Sequence, residues 1–372
     1  MKQAKLAFIF GTRPEIIKLS PVIRLCIKKK VPFFTVHTGQ HYSRNMSDVF
    51  LKELALPAPD YSLNIRSKAP YRQGDHTGRM MAKMEDILLK EMPSVVLVHG
   101  DTNSALAGAL TASKISTTKA FTGFDMKVAH VEAGLRSYDR TMPEEINRVI
   151  VDHLSDHLFA PTKRAKDIMI SEGIDPKKIY VTGNTIVDAV YYELRSEKRL
   201  KSISKKFKLE KDAYMLLTLH RQENVDDKNR MKEIFRGIDG IHNKYGLPIV
   251  FPIHPRTVKK MEGSKIKLKD HIRIIKPSGF TEFICMERNA RLVLSDSGGV
   301  QEETCVLKTP CVTLRDSTER PETVEVGSNV VAGVSAVKII KASDLMMSKH
   351  RNWKNPFGNG DAAEKILIAL KK

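Results

Sequence analysis

Short runs of consecutive apolar residues recur along this chain, separated by longer stretches in which apolar residues stand three or four apart. The first kind reads as buried strands and the second as amphipathic helices; their regular alternation predicts an α/β protein with parallel sheets covered by helices. In the first half, strands are predicted at 6–10, 33–37, 94–99, 127–131, 157–160 and 179–182. Helices are expected from about Ile16, over 46–54 and 77–91, over the Ala-rich 104–114, from Pro143 and over 185–194. Pro143 is followed by two acids in the first turn, as the helix dipole prefers. The second half repeats the pattern, with strands at 214–219, 249–253, 272–275, 292–294 and 310–314 and a last helix ending at Leu370. The lysine-rich stretch 198–211 reads as the connection between halves. Two Rossmann-like domains facing across a cleft, 1–195 and 196–356, are the natural architecture.

Polar clusters follow the strands, where open α/β sheets place ligands. They include Gly11–Glu15, Thr38–His41, Gly100–Asn103, Glu132–Arg136, His220–Asn224 and His254–Arg256. The stretch 292–322 is the most informative. An apolar strand runs into the small, polar turn Ser295-Asp296-Ser297-Gly298-Gly299, a helix opens at Val300-Gln301-Glu302-Glu303, and Arg320-Pro321-Glu322 lies beyond the next strand. Glycines that let the backbone approach, followed by a helix N-terminus, form an anion site. Glu303 suits two ribose hydroxyls, and Arg320 suits a phosphate.

Composition narrows the field. The 372 residues allow two or three domains, and 41% hydrophobic with 28% charged residues is ordinary for a soluble globular protein. No apolar run is long enough to span a membrane, and the first one is too short for a signal peptide, so a cytoplasmic location is expected. The formal net charge of +19 invites a nucleic-acid reading. However, the lysines are scattered, there is one Trp, and no basic stretch is interleaved with aromatics. Solvated lysine-rich faces and a small anionic substrate fit better, with no nucleic acid and no membrane as partner. The four cysteines lack CxxC spacing and read as reduced, buried thiols. The pairs His37/His41 and His153/His157 lack the glutamate of a zinc HExxH motif and read as structural.

Three carboxylates, Asp101, Glu132 and Glu144, stand after strands or at a helix start in the first half, and His220 follows a strand in the second. Each alone reads as a cap, a first-turn acid or a strand-end residue; brought together, they form an acid–base set. Arg13, Lys18 and Arg320 supply positive charge for a diphosphate leaving group. No Ser-His-Asp pattern or DxD metal pair stands out, and no GxGxxG lies in the first strand–helix turn, which argues against NAD.

Seven motifs stand in order: Gly11-Thr12-Arg13-Pro14-Glu15 with Lys18, His99-Gly100-Asp101-Thr102, His130 to Arg136, Pro143 to Arg148, His220-Arg221, Ser297 to Glu303, and Glu319-Arg320-Pro321-Glu322. Through them essentially the whole chain resembles the non-hydrolysing UDP-N-acetylglucosamine 2-epimerases. The resemblance implies a glycosyltransferase-B-like fold whose last helix, 357–372, packs back on the first domain. It implies a UDP-sugar substrate, a homodimer, and no metal or redox cofactor. A carboxylate would remove the C2 proton as the C1–O bond to UDP breaks, giving 2-acetamidoglucal; re-addition would give the C2 epimer. By motif match, Asp101, Glu132 and Glu144 are the acid–base set and His220 assists the phosphates. Arg13, Lys18, Ser297, Gly298, Gly299, Glu303 and Arg320 would bind UDP, and Phe283 would pack beside uracil.

Hydrolysing relatives usually read GTRAD where this chain has GTRPE, which favours the epimerase. Tyr42 and Gln222 replace arginines common in bacterial members, near a regulatory UDP-N-acetylglucosamine. Weak activation by that compound is therefore expected. A hydrolysing epimerase, a 2-epimerase of a UDP-2,3-diacetamido uronic acid and, remotely, a basic nucleic-acid-binding protein remain open.

Overall fold

The computed structural model describes residues 5–39, 50–65, 72–118, 123–253, 257–258, 260–261 and 268–371. His41, Tyr42, the first part of the helix expected over 46–54, and His254 to Arg256 lie outside the described residues. The chain divides into two compact units, Met1–Ala189 with Phe357–Lys372, and Val190–Pro356.

The first unit carries a seven-stranded, all-parallel sheet: β1 (Leu6–Phe10), β2 (Phe33–His37), β3 (Tyr61–Ser62), β4 (Val95–His99), β5 (Lys127–Val131), β6 (His157–Ala160) and β7 (Ile179–Val181), in the order β3-β2-β1-β4-β5-β6-β7. β1 and β4 are buried at every position, which is why they read as unbroken apolar runs rather than alternating ones. Strand order reverses between β1 and β4. Such a reversal opens a crevice at the carboxyl ends of the two strands, here at Gly11–Thr12 and Gly100–Asp101.

The second unit repeats the plan with six parallel strands: β8 (Met215–Thr218), β9 (Ile249–Pro252), β10 (Ile272–Ile275), β11 (Leu292–Ser295), β12 (Cys311–Thr313) and β13 (Asn329–Val331), ordered β10-β9-β8-β11-β12-β13. Its reversal falls between β8 and β11, so the crevice lies at His220 and Asp296–Ser297. The α/β fold class read from the sequence is the one observed.

Two expectations need correction. The stretch 198–211 is not a connection: Glu197–Lys206 is a helix of the second unit, capped by the Ser196 hydroxyl. It buries Leu200 and Ile203 beside Cys285, a two-residue apolar stripe hidden by the lysines around it. Gly298 and Gly299 are not turn residues but the first two residues of the helix Gly298–Leu307, with Ser297 at the N-cap. The short strands β3 and β13 and the helices Lys163–Ser171 and Ala336–Met347 were not anticipated; two- and three-residue strands carry no readable period.

The chain's end belongs to the first unit. Asp188 accepts from the backbone N–H groups of Ala362 and Ala363 at 3.3 and 3.0 Å, so a carboxylate meets the dipole of the last helix, Ala362–Ala369. That helix packs on Arg13–Lys29. All four cysteines are buried and unpaired. Among the described residues no helix is long and apolar enough to cross a membrane, and no group of three His, Cys, Asp or Glu is arranged to hold a metal ion.

Candidate active site

In the first unit the candidate acids gather at the ends of β4 and β5. Glu132, one residue past β5, has a left-handed backbone, φ +69°, which costs a non-glycine residue roughly 1 kcal/mol or more. Its side chain is 7% exposed and is ion-paired with Lys18 from the helix Arg13–Lys29. Asn184 donates to the same carboxylate oxygen at 2.8 Å, and His99 Nε2 stands 3.7 Å from it. Burial lowers the His99 imidazole below its ordinary value, against the pull of Glu132. Asp101, two residues past β4, is about one-third exposed and paired with Arg148.

Glu144 opens the helix Pro143–Leu154. It is half-buried and, unlike those of Asp101 and Glu132, its side chain makes no hydrogen bond or ion pair with the described residues. Its neighbours anchor it instead. Asn147 donates to the Asp101 carbonyl at 2.9 Å. Arg148 joins Asp101 to Glu145. Buried Glu145 in turn accepts from the backbone of Ser137 and Tyr138 at 2.9 and 2.8 Å. The three carboxylates predicted from the sequence thus stand on segments tied to one another by hydrogen bonds.

One buried aspartate underlies this arrangement. Asp152, fully buried, accepts from His130 Nδ1 at 2.7 Å, from the Gly134 N–H at 3.1 Å and from Arg136 at 2.7 Å. His130 Nε2 reaches the Gly100 carbonyl at 2.9 Å. Gly134 has φ +84°, and a Cβ there would lie 2.4 Å from the Ala165 carbonyl oxygen; only glycine fits.

The two strand–turn–helix segments that look alike in sequence differ in structure. At the first, buried Glu15 folds back on its own helix start. Its carboxylate accepts from the N–H groups of Gly11 and Thr12 at 2.9 and 2.7 Å, from the Thr12 hydroxyl at 2.8 Å and from the Thr102 hydroxyl at 2.6 Å. The turn is filled by its own acid, and Arg13, stacked 4.5 Å above the Phe50 ring, supplies side-chain charge there. At the second, the Ser297 hydroxyl makes no cap, leaving the first helical N–H groups, from Gly298 on, uncapped and suited to an anion.

Burial pushes the Glu15 carboxyl up to about 7, against the hydrogen bonds from Thr102, Gly11 and Thr12. Because the folded value lies above the ordinary one, the stability this proton contributes is fully present below about pH 4.5 and lost as pH rises through 7. Glu15→Gln is expected to remove this dependence. The stability difference between wild type and variant, followed through their thermal midpoints, should change across about pH 5 to 8, by on the order of 3 kcal/mol at most. A difference independent of pH would overturn the assignment.

In the second unit, His220 Nδ1 lies 3.1 Å from Asp296. Asp296, fully buried, also accepts from the N–H groups of His220 and Arg221 and from Asn224. Burial pushes the Asp296 carboxyl up, but His220 and these donors outweigh it and hold it below its usual range. The imidazole, 47% exposed, is oriented by the carboxylate behind it. Arg320 is buried against Glu302 of the helix Gly298–Leu307. Glu303 is buried one turn along, its carboxylate lying on the Gly299 side. Phe283 is half-buried and packs on the cluster around Leu209, Tyr214 and Met286.

Residues 25–371 match the sequence profile of the family described as UDP-N-acetylglucosamine 2-epimerase. The chain belongs to this family. A UDP-N-acetylglucosamine 2-epimerase of Methanocaldococcus jannaschii is 53% identical over 98% of both chains. A UDP-2,3-diacetamido-2,3-dideoxy-D-glucuronate 2-epimerase of Pseudomonas aeruginosa is 40% identical over 99% of both. Among solved structures, the M. jannaschii UDP-GlcNAc 2-epimerase in complex with UDP-GlcNAc and UDP is similar with a TM-score of 0.89, at 52% identity over 99% of both chains. This chain is therefore an α/β epimerase of the glycosyltransferase-B-like fold class.

Within this family member, sequence reasoning missed Asp152, Asp296, Asn184 and Glu15 as supports of the site. Only Glu15 had a local signal: Thr12-x-x-Glu15 is a capping-box spacing. The paired histidines have other work. His37 lies edge-on to Phe10, and His153 Nδ1 bonds to the Val149 carbonyl.

Proposed function

We propose that the chain catalyses the reversible C2 epimerisation of UDP-N-acetylglucosamine to UDP-N-acetylmannosamine, without hydrolysis. The observation that carries this reading is the linked set Asp101, Glu132 and Glu144 at adjacent strand and helix ends, in a chain 53% identical to a protein of that name.

In this reading one carboxylate takes the C2 proton while the C1–O bond to the β-phosphate breaks, giving 2-acetamidoglucal and UDP. UDP then adds back to C1, and C2 is reprotonated on the opposite face. The C2 hydrogen is a poor acid, so departure of UDP leads and the transition state has oxocarbenium character. Stabilising the phosphate charge is then the larger catalytic contribution, and the carboxylates set the stereochemistry. His220, held by Asp296, and Arg320 serve the diphosphate together with the uncapped N–H groups of the helix Gly298–Leu307. Glu303 accepts the ribose hydroxyls, and Phe283 lies beside uracil. Arg13 and Lys18 add charge, Lys18 while paired with Glu132. No step calls for a metal or redox cofactor.

The P. aeruginosa relative gives the second reading, a UDP-2,3-diacetamido uronic acid as substrate. Proton NMR with UDP-N-acetylglucosamine in D2O separates the readings. Deuterium entering at C2 together with UDP-N-acetylmannosamine is the expected result. Free N-acetylmannosamine with stoichiometric UDP would mean a hydrolase, and no exchange would turn the assignment to the diacetamido sugar.

A further inference from the structure

Glu287 is a carboxyl group placed where a charge has no support. It stands near the end of the helix Phe280–Asn289 and is fully buried. Neither side-chain oxygen receives a hydrogen bond from an N–H or hydroxyl donor among the described residues. Its backbone carbonyl is taken by the Thr309 hydroxyl at 2.9 Å, which fixes this turn of the helix beside β12. Among the described residues, the ionisable groups that act with Glu287 are acids. They are Glu303 from the packed helix Gly298–Leu307, Cys311 from β12, and Tyr214 ahead of β8.

A buried carboxylate with no donor and no cation is costly. Two carboxyl groups facing each other in a dry site cannot both ionise; one keeps its proton and can donate a hydrogen bond to the other. Burial and the Glu303 charge hold the Glu287 carboxyl well above the usual carboxylate range. Depth decides which group carries the proton: Glu287 is 0% exposed, whereas Glu303 is 8% exposed and lies on the Gly299 side of its helix. The neutral acid therefore sits behind, and the carboxylate in front.

We propose that Glu287 is a positioning residue for nucleotide recognition: as a neutral acid it donates a hydrogen bond to the Glu303 carboxylate and holds it oriented toward two ribose hydroxyls. This deepens the proposed function and rests on its reading of Glu303. Glu287 touches no substrate atom and acts only through Glu303. Its requirement is for a donor at that spot, not for a carboxyl group as such.

The experiment compares UDP with 2′-deoxy-UDP as competitive inhibitors of wild type, Glu303→Ala, Glu287→Met and Glu287→Gln across neutral to alkaline pH. Glu303→Ala tests the underlying reading: if it keeps the preference for UDP, the ribose assignment itself fails. Given that the preference is lost there, Glu287→Met, similar in volume but without a donor, is expected to lose it by about 10-fold. Glu287→Gln, whose amide N–H still donates, is expected to keep it. At alkaline pH the wild type should lose its preference as the Glu287 proton leaves, while the Gln variant, which cannot ionise, should not. A Met variant that discriminates like wild type, or a Gln variant that fails like Met, would overturn the proposal. Should the Met variant not fold, the alkaline limb of wild type against Gln decides alone, and identical pH profiles would overturn it.

Discussion

Replacing Glu132 by glutamine is expected to lower both epimerisation and solvent-deuterium exchange at C2 by roughly 10²- to 10⁴-fold, the usual cost of losing a general acid or base. The amide is nearly isosteric, so the loss should fall on kcat with little change in KM. The structural argument begins with the backbone. A non-glycine residue at φ +69° persists only where its surroundings over-determine it, and here Lys18 and Asn184 grip the side chain beside His99. A buried lysine that loses its carboxylate also costs stability, on the order of 3–5 kcal/mol. That effect has to be separated from chemistry. The double variant Lys18→Met with Glu132→Gln replaces both charges and is expected to recover much of the thermal midpoint without recovering exchange. Wild-type exchange in Glu132→Gln would reassign Glu132 from proton transfer to anchoring Lys18.

What could be read from the sequence follows from how local its cause is. β1 and β4 were legible because a parallel strand buried on both faces must be apolar throughout. Asp101, Glu132 and His220 could be singled out as candidates because open α/β sheets place ligands beyond the ends of strands. The helix Glu197–Lys206 was missed because only Leu200 and Ile203 face inward among five basic residues. The supports of the site were missed for a different reason. Asp296 meets His220 across 76 positions of chain, and Asp152 meets His130 across 22; no local period records such a pair. The same holds for Glu287, which in sequence is one more acid on an amphipathic helix. Two strand–turn–helix segments of similar sequence pattern also parted on one side chain: Glu15 fills the first turn, and nothing in Ser297 to Val300 fills the second.

Asp152→Ala is expected to destabilise the first unit by about 3–5 kcal/mol and to abolish most activity, although Asp152 is not assigned to touch substrate. Its carboxylate gathers three donors from two sides of the site. Through His130 it holds the Gly100 carbonyl, next to Asp101; through Gly134 and Arg136 it holds the loop that begins at Glu132. The same helix carries Glu144 at its start, so a single buried anion sets the spacing of all three acids. Burial pushes the Asp152 carboxyl up, but His130 and Arg136 outweigh it and leave it below its usual range. The contribution is therefore present above about pH 4 and lost as pH falls through the lowered value, so the deficit should be full at neutral pH. Arg136 keeps Glu172 as a partner at 2.9 Å, which places the loss within this range rather than beyond it. The chain's single tryptophan, Trp353, lies in the second unit, so its fluorescence follows that unit alone. In urea, the far-ultraviolet circular dichroism of Asp152→Ala should acquire an early transition while the tryptophan transition stays near its wild-type midpoint. A common shift of both signals would mean that the two units unfold together, and an unshifted dichroism curve would show that Asp152 carries no such load.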